Sequence, residues 1–201
     1  WKQLPETGAK VRLLSRLSDI GDERYASQFV EVIFGSHGAI DTLHALNDES
    51  ASYHFLLLSR SAPVASIGVL ERMVRTASLD LQNFKSGRRN IIYALEEMLK
   101  LEAISIRSAR ILQKFAAAEN ETWGNNATKI WSEIFYLRIP RNPITGEQRL
   151  HLIRTVMQGN KQDHLTALIA IEKILNDYGM VASGAPQGGY LPSAPWLPVT
   201  W

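Results

Sequence analysis

Residues 88–101 read RRNIIYALEEMLKL. Apolar side chains fall at Ile91, Ala94, Leu95, Met98 and Leu99, the i, i+3, i+4, i+7, i+8 spacing of one helical stripe. Working outward, the next stretch carries Ile104, Ile111, Leu112 and Phe115, with small Ala109 and Ala116 close by. Toward the C-terminus, Leu165, Leu168, Ile169, Ile174 and Leu175 make a less regular stripe. A stripe of this kind is the face a helix buries. No segment alternates apolar and polar residues for long enough to read as a strand.

The punctuation is helical as well. Breaks occur at Gly21-Asp22, Gly35 to Gly38, Asn47 to Ser50, Ala62-Pro63, Ser86-Gly87, Gly124 to Asn126, Pro140 to Gly146 and Gly159-Asn160. They bound ten predicted helices, at 6–18, 23–34, 39–46, 51–59, 64–77, 88–101, 105–118, 127–136, 146–158 and 163–178. Thr145 with Gln148 three residues on forms a capping-box pattern, and Pro63 suits the first turn of its helix. Short linkers make antiparallel neighbours of 88–101 with 105–118, and of 146–158 with 163–178.

The helix 105–116 reads SIRSARILQKFA. Ile106, Arg107, Ala109 and Leu112 in this stretch resemble the second helix of a HEAT repeat, for which residues 90–101 would supply the first. The resemblance covers one helix pair, and no fixed period runs through the chain. Two architectures therefore stay open: a HEAT/armadillo-like array of stacked antiparallel helix pairs, or an irregular helical bundle. Either is all-α and spans residues 1–180. The resemblance implies a scaffold that binds proteins. A second stretch, Trp123 to Thr128 followed by Lys129-Ile130-Trp131, resembles helical regions of large bacterial nucleotide-binding defence proteins. That implies the alternative of a sensor or regulatory segment of an NTPase, with its catalytic part elsewhere.

Residues 181–201 differ in kind: they are rich in Pro and Gly and without period. They read as a linker or an extended strap, with Tyr190, Leu191, Trp196 and Leu197 available to dock. The chain begins at Trp1 and ends in this tail, which points to a piece of a longer polypeptide.

Composition narrows the function classes. A chain of 201 residues can bury a sizeable core, and 45% apolar content argues against disorder over its whole length. The net charge is +2, from 22 basic and 20 acidic residues, too balanced to suggest nucleic acid from bulk charge. Nucleic acid stays possible but is not favoured. There is no cysteine, which removes disulfides, thiolate metal sites and cysteine nucleophiles and suits a reducing, cytoplasmic setting. No apolar run approaches the ~18–20 residues of a bilayer span, so no membrane partner is expected.

No catalytic, cofactor or metal site is read from the residues. The histidines are His37, His44, His54, His151 and His164, and no two stand at i, i+4. Asp41 and His44 share a helical face and suggest a surface hydrogen bond. Gly124 to Lys129 lacks the second glycine of a phosphate loop, and Asn126 reads as a helix cap. Glu96 with Glu97 and Glu119 with Glu121 read as solvated faces, since adjacency does not make carboxylates converge. Leu4 to Gly8 matches the sortase sorting pentapeptide, but it leads into an amphipathic stretch, and Thr7 reads as a cap. One feature suggests an interaction surface. Arg72, Arg75, Arg88, Arg89, Arg107, Arg110 and Lys114 concentrate between Gly68 and Ala118 and could form a basic ridge. An ordinary mixed face with pairs such as Glu96 to Lys100 is the competing reading. The expected activity is thus a non-catalytic interaction scaffold whose partner is another protein or another domain of the same chain.

Overall fold

Side chains at the helix starts decide where the elements begin. A computed structural model of the chain describes residues 8–20, 22–77, 81–136 and 142–175. Asp22 accepts the Arg24 and Tyr25 amides and opens α2 (Glu23–Phe34), which follows α1 (Ala9–Ile20). Thr42 caps α3 (Leu43–Leu46), and Asp48 caps α4 (Glu49–Ser61) through the Ala51 amide at 2.9 Å. Pro63 occupies the first turn of α5 (Pro63–Thr76), where a missing N–H costs nothing. A 3-10 turn at Leu81–Asn83 precedes α6 (Arg88–Met98), and α7 is Ser105–Ala117. Asn126 caps α8 (Ala127–Glu133), and Thr145 and Gln148 form the capping box of α9 (Gly146–Val156). Asn160 accepts the Gln162 and Asp163 amides, while Asp163 accepts the Asn160 amide, so α10 (Lys161–Leu175) starts on a reciprocal pair. Among the described residues the elements are ten α-helices and one 3-10 turn, with no strand. The Thr7 cap and the tail 181–201 lie outside them.

The chain divides into two compact units between Met98 and Leu99. Helices α6 and α7, which the sequence pairs, therefore belong to different units.

In the first unit α4 is the central helix. It packs against α1, α2, α5 and, most extensively, α6. Nine of its thirteen residues are buried, Ser52, His54, Ser59 and Ser61 among them, so it is enclosed on most of its circumference rather than along one stripe. Phe55 meets Phe34 edge-to-face, with ring centroids 5.3 Å apart and planes at 82°. Polar groups then fix the angles between helices. The Arg60 guanidinium donates twice to the Glu97 carboxylate, each bond 3.0 Å long. Asn90 donates to the Ser52 hydroxyl, and Asn47 accepts the Gly87 amide while donating to the Asn83 carbonyl. Gly87 is required here: a Cβ would come within 2.5 Å of the Leu46 carbonyl oxygen.

The second unit assembles around Trp131. Its indole N–H donates to the Thr166 carbonyl at 2.9 Å, and its ring meets Phe135 edge-to-face. Gln113 of α7 donates to both Asp163 and Thr166 of α10. Helix α10 thus turns Thr166, Ala167 and Ala170 inward. This corrects the apolar stripe read from the sequence. Leu165, Leu168 and Leu175 face outward at 46%, 55% and 75% exposure, because the small residues on the other face admit the tighter approach to α7 and α8.

Candidate functional site

Three of the seven basic positions lie along one side of α7. Arg107, Arg110 and Lys114 are spaced i, i+3 and i+7, so they share a face. Arg110 and Lys114 are exposed and Arg107 is half-buried. On α9, Glu147, His151 and Arg154 stand at i, i+4 and i+7 and form a second polar row. Arg110 of the first row and all three residues of the second line a cleft of about 450 Å³, within the ~300–1,000 Å³ of small-molecule sites, and Arg107 and Lys114 lie outside its lining. Ile106 and the buried Leu152 give it apolar wall. Arg110, His151, Arg154, Gln148 and Glu147 supply its polar groups. The capping box holds Gln148 in place by using its carbonyl oxygen, bonded to the Thr145 amide at 2.9 Å, and leaves its NH₂ to the cleft.

Charge in the cleft is not internally balanced. Among the described residues, neither the Arg110 nor the Arg154 guanidinium makes a hydrogen bond or ion pair, although Glu147 lines the same space. Arginine stays protonated at any physiological pH. The cleft therefore presents two fixed cations, an imidazole and an amide donor against one carboxylate.

The other members of the basic group do different work, all within the first unit. Arg72 donates to the Phe34 and Asp41 carbonyls and ties α5 to the end of α2. Arg88 is 1% exposed and donates to the Leu81 carbonyl, so it is interior scaffolding and not part of an exposed ridge. Arg75 and Arg89 are on the surface.

The carboxylate pairs also differ from the solvated faces read in the sequence. Glu97 holds Arg60. Glu119 accepts the amides of Asn120, Glu121 and Thr128 and organises the loop before α8. Among the described residues no hydrogen bond joins Asp41 to His44, and no group of three His, Asp or Glu side chains gathers as a metal site. No described helix is long and apolar enough to cross a membrane.

Two buried cationic or titratable groups lie away from the cleft. Arg149 is 5% exposed on the inward face of α9, beside Leu152, Ile153 and Val156 in the same buried stripe. Its Nε and Nη2 have no hydrogen-bond partner, and burial pulls its pKa below the ordinary value. His54 of α4 is also buried. Desolvation first, then the Lys10 cation, push its pKa below the ordinary ~6.5, with Asp48 opposing. In the unfolded chain His54 takes a proton as pH falls through ~6.5, while the folded chain resists it. The first unit should therefore lose stability as pH drops from 7.5 to 5.5, until the folded pKa is passed. Urea midpoints across that range test this: His54→Gln should show a flatter slope, and parallel slopes would refute the assignment.

No family model matches the chain, and no curated protein or solved structure is significantly similar to it.

Proposed function

We propose that this chain is a non-catalytic protein-interaction scaffold that engages another protein, or another part of its own polypeptide, through the outer surface of α9 and α10. The observation that carries this is the clustering of exposed apolar side chains. Among the described residues, nine large hydrophobics are exposed, and five of them belong to this helix pair: Leu150, Leu165, Leu168 and Leu175 on the helices and Met157 at the C-cap of α9. Single exposed leucines are ordinary, whereas a concentration of them marks a surface that a partner covers. The lack of cysteine suits a cytoplasmic setting.

The test is Leu165→Asp combined with Leu168→Asp. Both positions are exposed, so folding stability should change by no more than about 0.5 kcal/mol per site. Burial of a leucine in an interface contributes about 1.5–3 kcal/mol, so each loss should weaken binding at least about tenfold. The tagged chain is cross-linked in its source cells, and proteins joined to α9 or α10 are quantified by mass spectrometry. Recovery should collapse in the double variant. Equal recovery by both proteins would sink the reading.

A further inference from the structure

We infer that the cleft between α7 and α9 is a binding site for a phosphate monoester carried on an apolar group. This does not depend on the apolar surface of α9 and α10. Arg110 and Arg154 approach the cleft from different helices and are unengaged among the described residues. Each guanidinium presents a planar fork of donors suited to a pair of anionic oxygens. A carboxylate has two oxygens and one charge, enough for one fork. A phosphate monoester has three terminal oxygens and about −1.5 to −2 charge at pH 7, enough for two forks and for the His151 and Gln148 donors beside them. One acid, Glu147, opposes two fixed cations, so the site keeps a positive excess that an anion would neutralise. The apolar requirement comes from Ile106, half-buried in the cleft wall, which bare phosphate would leave uncovered.

The full chain, ¹⁵N-labelled, is titrated with phenyl phosphate, inorganic phosphate and phenylacetate while amide shifts are followed. Phenyl phosphate should shift amides in 106–110 and 147–154 saturably, with inorganic phosphate and phenylacetate each at least about tenfold weaker. Arg110→Ala and Arg154→Ala should each weaken phenyl phosphate at least about tenfold. Glu147→Gln removes a repelling charge and should tighten it. Arg75→Ala, an exposed arginine of the first unit, should leave it unchanged. Linear shifts without saturation would overturn the inference. So would equal binding of phenylacetate, weakening by Glu147→Gln, or an Arg75→Ala effect as large as that of Arg110→Ala. A phosphotyrosine pentapeptide separates two sources of the same chemistry. Affinity above that of phenyl phosphate assigns the group to a modified partner protein, and equal affinity assigns it to a free aryl phosphate.

Discussion

Replacing Trp131 with alanine should lower the stability of the second unit by about 4 kcal/mol. The side chain is fully buried, so its removal loses both apolar transfer energy and the contacts around the cavity left behind. It also loses the edge-to-face contact with Phe135, whose centroid lies 4.8 Å away, and the indole bond to the Thr166 carbonyl. That bond and those of Gln113 are what bring α10 to α7 and α8. Small domains are stable by about 5–15 kcal/mol in total, so a loss of this size leaves little. Hydrogen exchange of residues 105–175 against urea reads the effect locally. Trp131→Phe keeps most of the ring and loses the donor, and should cost about 1–2 kcal/mol. If alanine and phenylalanine cost the same, the ring is not what holds the unit.

Replacing Arg149 with methionine should do the opposite and stabilise the same unit by about 1–3 kcal/mol. A buried cation is tolerable when a counter-charge or a full set of acceptors surrounds it. Arg149 has neither at Nε and Nη2, and its neighbours on the buried stripe are Leu152, Ile153 and Val156. Methionine keeps an unbranched apolar stem and adapts to irregular space. Arg149→Ala serves as the control, since it removes the charge but also leaves a cavity, and should fall below methionine. The urea midpoint is the measurement. A methionine variant less stable than the parent would mean that the guanidinium has a partner in solution.

Helix starts are legible in the sequence because a side chain marks them. Helices α2, α6, α7, α8 and α9 begin at the residues the reading assigns, four of them behind a break and three behind a capping side chain. Helix ends are less legible. The predicted helices run on to Leu101, Ala118, Tyr136 and Gln158, whereas the observed ones stop at Met98, Ala117, Glu133 and Val156. Leu99, Ile134 and Phe135 are buried just past a helix end, so apolar periodicity continues where helical backbone does not. Helix α3 is shorter than the predicted 39–46 because Thr42 supplies its cap only at that point. For the surface, composition misleads. Leucines on α10 look like the buried stripe, yet the inward positions belong to Thr166, Ala167 and Ala170, whose selection depends on Trp131 some 35 residues away. Arg110 stands out in the sequence, but its neighbours in the cleft come from α9, and no local signal joins the two helices. The pairing of Arg60 with Glu97 and the loop-holding role of Glu119 are hidden for the same reason.

The reliance of α4 on α6 also sets a timetable for synthesis. A ribosome releases the chain N-terminus first, at about 5–20 residues per second. Roughly 40 residues separate Ser61 from Met98, so α4 waits about 2–8 s for the helix that covers its largest contact. Until then neither Asn90 nor Glu97 is present to hold Ser52 and Arg60. A nascent chain stalled within that window leaves uncovered the helix with the most buried positions of its first unit, which makes it a natural client for a ribosome-associated chaperone.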